Sequence, residues 1–293
     1  MSKSWLILDC YYLCHRAFYT MGSLSYRDVK TGVIFGFFKD IVSLMDQFGT
    51  DRIIFCFDAN GSKRKEIYPA YKKKRHSRVL DENEKLALFE LKRQIEKLRK
   101  VYLKTVGYNN VFWADGYEAD DVIATTVAQV PEEDDAVIVS ADKDMWQLIR
   151  SNVVCYNPDK GKTMSLQKFH NTYGIHPVKW AYKLALAGCD TDEVDGIPGV
   201  GEKRALLYIR GELPSTSKVY KRIESDKGLE RVATNRRLVK LPYKGAPVFE
   251  IRPDNVTTEG WEKVVEELGM KSLTGKVPVM GRELRRVRST HND

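Results

Sequence analysis

Apolar residues fall in short continuous runs along this chain. Three of the runs lead to an aspartate: Trp5-Leu6-Ile7-Leu8-Asp9, Ile53-Ile54-Phe55-Cys56-Phe57-Asp58 and Val137-Ile138-Val139-Ser140-Ala141-Asp142. Runs without polar alternation read as strands covered on both faces, the signature of a parallel sheet. Between them the period changes. The stretch from Val33 to Phe48 predicts a helix. Leu88, Leu91, Ile95, Leu98 and Tyr102 recur at spacings of three and four, one apolar helical face with lysines and arginines opposite. Asp81 followed by Glu84 predicts a capping box at the start of that helix. A short strand is predicted at Val111-Phe112-Trp113, a helix from Ala119 to Val130 stopped by Pro131, a helix from Met145 to Ile149, and a last strand from Val153 to Asn157. The alternation is α/β, with a mainly parallel central sheet flanked by helices.

After about residue 165 the pattern turns helical. One helix runs from near Pro177 to Ala187, the glycine-rich turn Gly196-Ile197-Pro198-Gly199-Val200-Gly201-Glu202-Lys203 opens another, and a further one covers Trp261 to Leu268. The expected organisation is an α/β domain over 1–165 with an insertion at 60–104, a helical region over 166–275, and a tail over 276–293 that lacks stable structure.

Charge sharpens this division. The net charge of the 293 residues is +8. Residues 60–104 carry 15 Lys/Arg against 6 Asp/Glu, and residues 271–293 carry 6 against 2, so the remaining body is net acidic. An acidic body suits a metal site, and a basic insertion suits a polyanion such as nucleic acid. No apolar run approaches the roughly 18 residues of a membrane span, and a strand begins almost at the N-terminus, so neither a membrane anchor nor a signal peptide is expected. The five cysteines form no C-x-x-C pair, which points to a reducing cytoplasm.

The candidate chemistry lies in the acids. In an open parallel sheet, ligands bind outside the carboxyl ends of the strands, where Asp9, Asp58 and Asp142 are expected. Glu118-Ala119-Asp120-Asp121 and Asp142-Lys143-Asp144 fall at predicted helix starts in the same layout. Any one strand-terminal aspartate is ordinarily a cap or turn former; five such positions together are not. Like charges a few ångströms apart repel by roughly 3–4 kcal/mol per pair at an effective dielectric near 20, so the cluster is expected to hold divalent cations. Oxygen-only donors suit magnesium or manganese. Glu118 and Asp121, three apart, are expected to share a helical face, with Asp120 elsewhere on the turn as a ligand, a cap or a support for the ligands. Two cations about 3.5–4 Å apart can drive in-line phosphodiester displacement. Lys72 and Arg75, close in sequence to Asp58, can neutralise the phosphate, although a charge run is usually a solvated surface. The glycine turn between two short helices has the form of a helix–hairpin–helix, whose backbone N–H groups can hold duplex phosphates. Tyr11, Tyr12, Tyr71 and Tyr117 are candidates for base stacking or for the core.

These motifs resemble the flap-endonuclease type of 5′-nuclease, including the 5′→3′ exonuclease domain of bacterial DNA polymerase I and free-standing bacteriophage relatives. The resemblance runs from about residue 4 to about residue 273 and rests on Leu8-Asp9 with Arg16, Phe57-Asp58, Tyr71-Lys72-Lys73-Lys74-Arg75, Gly116 to Asp121, Ser140 to Asp144 and Gly196 to Lys203. It implies a PIN-like fold in which 60–104 is a helical arch. The implied activity is metal-dependent cleavage of 5′ flaps or RNA primers near single-strand/duplex junctions, in replication and repair, by a monomer in a bacterial or phage-infected cytoplasm. It implies that Asp9, Asp58, Glu118, Asp120, Asp121, Asp142, Asp144 and Asp192 ligate or position two Mg2+ or Mn2+ ions. Lys72, Arg75 and Arg16 are implied to hold the scissile phosphate, with Tyr71 stacking nearby and Lys183 close to the DNA. Gly196, Gly199, Gly201 and Lys203 are implied to bind duplex, with K+ bridging the turn's carbonyls to phosphate. One position departs from the family pattern: Cys189 stands where an aspartate is usual. The second metal site is then weakened, rebuilt with Asp190, or completed only by DNA. Two other readings use the same residues. One is a non-catalytic DNA-junction binder with a degraded metal site; the other is a phosphatase with Asp9 as nucleophile, for which Tyr11 occupies the place of the usual second carboxylate.

Overall fold

The computed structural model describes residues 4–73 and 79–279. The chain opens with strand β1 (Ser4–Asp9), helix α1 (Cys10–Met21), a small hairpin of β2 (Ser25–Tyr26) and β3 (Val29–Lys30), helix α2 (Gly32–Phe48) and strand β4 (Ile53–Cys56). The insertion holds α3 (Arg64–Ile67) and α4 (Glu82–Lys97), a π turn (Leu98–Tyr102) and α5 (Leu103–Val106). Then come β5 (Val111–Phe112), α6 (Ala119–Val127), β6 (Asp135–Val139), a 3-10 turn (Lys143–Leu148), β7 (Val153–Asn157) and β8 (Lys162–Met164).

The central sheet has the order β5-β4-β1-β6-β7-β8. It is parallel apart from β8, which returns antiparallel on β7. The strand ending at Asn157 is therefore not the last one, as its pattern implied. The chain first builds outward through β4 and β5, then crosses β1 to add β6. The gap between β1 and β6 is the topological switch point, where an open α/β sheet binds its ligand. Register aligns the acids: Leu8 lies opposite both Phe55 and Val139, so Asp9 and the residues after β4 and β6 emerge at one edge.

Side chains alternate across each strand. Leu6, Leu8 and Phe55 pack on one face with Phe37, Phe38 and Trp261, while Ile7, Ile54 and Ile138 pack on the other with Val122, Trp180 and Leu184. Both faces are covered, which explains the unbroken apolar runs.

The helical region comprises α7 (Leu166–Tyr173), α8 (Trp180–Ala187), the two-residue strands β9 (Gly188–Cys189) and β10 (Val194–Asp195), α9 (Glu202–Arg210), α10 (Lys218–Ile223), α11 (Asp226–Val239) and α12 (Thr258–Glu267). No structural gap separates it from the sheet. Trp180 and Leu184 join one side of the sheet's core, and Trp261 of α12 packs edge-on to Phe38 at 5.3 Å on the other. The cores therefore run across the boundary expected at 165. Two helical predictions change: α6 ends at Val127 rather than Val130, and the segment expected as a helix over Met145 to Ile149 is a 3-10 turn starting at Lys143. The predicted capping box is present, with Asp81 accepting from the Glu84 N–H at 2.8 Å and Glu84 accepting from the Asp81 N–H at 3.1 Å. Arg75 and the residues from 280 onward lie outside the described residues. Among those described, no helix is long and apolar enough to cross a membrane.

Candidate active site

At the sheet edge Asp9, Asp58, Asp120, Asp142 and Asp144 lie close enough to act on one another's charges. Asp9 ends β1 and caps α1, accepting from the Tyr12 N–H at 3.0 Å and from the Ser140 hydroxyl at 2.9 Å. Burial, and then the charges of Asp58 and Asp142, push its carboxyl up to about 7. Asp58 accepts from the Ala119 N–H at 2.9 Å, which pins the start of α6 beside β4. Asp142 accepts from the Asp144 N–H at 2.8 Å and caps the turn that carries Asp144. Asp144 is pushed up to about 7 by burial and by the charges of Asp142 and Asp192. Asp120 is raised by burial and by Asp142 and Asp9. Desolvation and like-charge repulsion therefore act on Asp9, Asp120 and Asp144, an electrostatic condition that a bound cation relieves.

Two members of the acidic motif exchange the roles expected of them. Glu118 is the N-cap of α6, with φ −89° and ψ 160°, and forms a capping box with Asp121, its N–H donating to the Asp121 carboxylate at 3.2 Å. Asp121 leaves the cluster. It is fully buried and bound by Arg64 through two bonds of 2.7 and 2.8 Å, and it also accepts from the Tyr243 N–H at 2.7 Å. With its oxygens spent on Arg64 and backbone, Asp121 is a structural anion, and its expected place among the metal ligands is corrected. Asp120 faces the cluster in its place.

Lys72 lies inside this site. Its Nζ is 2.7 Å from Glu118 and 3.6 Å from Asp192, and its own N–H donates to the Asp192 carbonyl at 3.1 Å. Burial opposes the lysine charge, but Glu118, Asp192 and Asp120 outweigh it and raise its pKa. Burial likewise disfavours the Glu118 charge, yet Lys72 and Arg64 hold that carboxyl below its usual range. Tyr71 does not stack on anything at the surface. Its ring is 2% exposed, and its hydroxyl lies 3.1 Å from both Glu118 and Asp192. Tyr117 is buried as well, donating to the Gly245 carbonyl at 2.5 Å. Both tyrosines belong to the core because each phenol finds a polar partner there.

Other expected residues divide similarly. The Arg16 guanidinium bonds Asp40 at 2.6 Å and Asp159 at 3.0 Å, so two carboxylates occupy the group expected to hold phosphate. Lys183 is buried, 2.8 Å from Glu202 and 4.0 Å over the Trp180 ring, and its charge is felt at Asp144. It links the acid cluster to the start of α9. Gly196 is packed too tightly for a side chain, since a Cβ there would lie 2.3 Å from the Ala187 carbonyl, whereas Gly199 turns with φ +79°. Gly201 and Lys203 are exposed at the start of α9. Ser140 and Arg64 escaped the sequence reading; the former is one polar residue in an apolar run, the latter one cation in a basic run.

Cys189 stands with the acids. Ligating atoms of Asp144, Cys189 and Asp192 all lie within 4.8 Å of one another. Asp190 is exposed and outside that group, so Cys189 is the third donor there among the described residues. Burial and Asp144 push its thiol up to about 11, and its sulfur is 3.0 Å from the Thr191 hydroxyl. A protonated thiol is a poor partner for a hard cation. As hard oxygen donors the carboxylates suit a divalent cation and the Cys189 thiol does not; among the described residues, Asp144, Cys189 and Asp192 are the group compact enough to share one ion.

A family model described as the 5′-3′ exonuclease, N-terminal resolvase-like domain, matches residues 4–174, which contain every strand of the central sheet. The chain belongs to the 5′-3′ exonuclease family. That membership makes it an enzyme of the 5′-3′ exonuclease kind. A 5′-3′ exonuclease of Aquifex aeolicus is 30% identical over 293 residues, covering 96% of this chain and 97% of the relative. The thermostable DNA polymerase I of Thermus thermophilus is 30% identical over 248 residues, covering 80% of this chain, which spans only 28% of that polymerase's length. The structure of the bacteriophage T5 flap endonuclease in a pseudo-enzyme-product complex with DNA and metal ions superimposes with a TM-score of 0.69 at 19% identity. It covers 98% of this chain and 100% of the phage protein, a likeness of fold.

Proposed function

We propose that this family member is a divalent-metal-dependent, structure-specific 5′-nuclease. It cuts phosphodiesters near single-strand/duplex junctions and removes 5′ flaps or RNA primers. The observation that carries this reading is the meeting of Asp9, Asp58, Asp120, Asp142 and Asp144 at the switch point of the sheet, with Lys72 and Lys183 beside them.

Asp9, Asp58, Asp120 and Asp142 would hold one side of a two-ion site, and Asp144, Asp192 and Cys189 the other. Magnesium or manganese bound there supplies Lewis-acid stabilisation of the phosphoryl oxygens and lowers the pKa of the attacking water. Lys72 offers its ammonium to the scissile phosphate, held in place by Glu118 and Asp192. Arg75 extends the cationic run on the same connection. The insertion over 60–104 serves as the arch around the 5′ single strand, and the turn between α8 and α9 takes the duplex.

The test is a 5′-flap duplex, end-labelled and incubated with the chain in magnesium, in manganese or in EDTA. A short product cut near the junction, present with either metal and absent in EDTA, is the expected result. Binding to the flap without cleavage in either metal would instead make the chain a junction binder. A second prediction addresses the misfit donor. Cys189→Asp should lower the magnesium concentration giving half-maximal cleavage by about tenfold, with a smaller change in manganese. Identical magnesium titrations for both proteins would remove position 189 from the ligand set.

A further inference from the structure

Three arginines from three helices converge on the carbonyls of the glycine turn over 196–201. Arg204 of α9 donates to the Gly199 carbonyl at 2.7 Å. Arg222 of α10 donates to the Pro198 carbonyl. Arg231 of α11 donates to the Gly196 carbonyl at 3.2 Å. A Cβ on Gly199 would lie 3.2 Å from the Arg222 Nη1 and 3.7 Å from the Arg204 Nη1, so two guanidinium groups share one side of the turn. All three residues are exposed, and among the described residues none of the three forms an ion pair.

This arrangement does not fit the monovalent cation that the family resemblance implies. Such an ion would need the turn's carbonyl oxygens, and three of them already accept from a permanent positive charge. A guanidinium has five N–H donors in a planar fork. One donor from each arginine is used on the turn, which leaves others for an anion. Three like charges gathered without a carboxylate repel one another, and a polyanion relieves that repulsion. Phosphate oxygens, bonded two at a time by a guanidinium fork, match the donors in charge and geometry.

We propose that Arg204, Arg222 and Arg231 take the place of the metal cation at this turn and form a built-in clamp for duplex phosphates, so that duplex binding is independent of potassium. This rests on the reading of the turn as a duplex contact. The backbone carbonyls hold the guanidinium groups in register, and sequence is not read because only phosphate is touched.

The experiment measures anisotropy of a labelled blunt duplex with the full chain in EDTA, so that no cleavage occurs. Titrations in potassium chloride and in tetramethylammonium chloride are compared at matched ionic strength. The expected result is a Kd that agrees within about twofold between the two salts, with a double variant, Arg204→Gln with Arg222→Gln, binding more weakly and its salt slope reduced by about 2, one per arginine. The variant positions are exposed, and thermal melting checks that the fold is kept. A parent Kd more than about fivefold tighter in potassium would overturn the proposal and leave duplex binding intact. So would an unchanged affinity and slope in the double variant. No duplex binding in either salt would sink both this inference and the reading it rests on.

Discussion

Lys72→Met is expected to lower turnover by about 100- to 1,000-fold while leaving KM nearly unchanged and lowering thermal stability less than Arg64→Met does, because Arg64 still neutralises Glu118. The side chain keeps its length and loses its charge. Lys72 is one of few non-glycine residues with a left-handed backbone, φ +53°, and its N–H is tied to the Asp192 carbonyl. A lysine gains nothing locally from that conformation, and strain of this kind persists where the surroundings impose it. Here it turns the ammonium into the acid cluster, 2.7 Å from Glu118, instead of letting it run out into solvent like an ordinary basic-loop residue. A charge held there serves a phosphate whose negative charge grows in the transition state, so its loss falls on rate. Single-turnover cleavage of a 5′-flap duplex separates the possibilities. Weaker binding at an unchanged rate would make Lys72 a docking contact, and a large fall in melting temperature would make it a structural counterion to Glu118.

Arg64→Met should destabilise the fold by about 3–5 kcal/mol, because it strands a buried anion. Arg64 is 2% exposed and donates to both oxygens of the fully buried Asp121 and to the Leu238 carbonyl at 2.7 Å. Its guanidinium also lies 5.0 Å from the Tyr243 ring centroid. The pair joins α3, α6 and the end of α11, the three pieces that frame the acid cluster from outside. Methionine fills the volume but leaves Asp121 with only backbone donors. Urea denaturation measures the loss. The double variant Arg64→Met with Asp121→Leu should recover much of it, since removing both charges also removes the desolvation penalty. A loss under about 1 kcal/mol accompanied by weaker magnesium binding would return Asp121 to the metal set.

Both expectations rest on side chains whose type was visible in the sequence and whose partners were not. The run Tyr71 to Arg75 reads as basic surface or phosphate contact, and nothing in it says that Tyr71 is buried while Lys72 turns inward. In Glu118-Ala119-Asp120-Asp121, the three-residue spacing does pair Glu118 with Asp121, but as a capping box, and Arg64 takes the Asp121 oxygens while Asp120 faces the acids. The sequence resemblance assigns Arg16 to the scissile phosphate, yet its partners are Asp40 and Asp159, one on α2 and the other in the turn after β7.

By itself, the sequence determined what depends on near neighbours and on period. The buried parallel strands, the Asp81–Glu84 cap, the aspartates at strand ends and the basic insertion all follow from the order of apolar and polar residues within a few positions. The tertiary structure alone decided which charge meets which. Arg64 and Asp121 are 57 positions apart, Asp121 and Tyr243 are 122 apart, and the three arginines on the glycine turn come from separate helices. A buried charge takes whatever partner the packing of distant elements brings within hydrogen-bond reach, and local pattern carries no record of that choice.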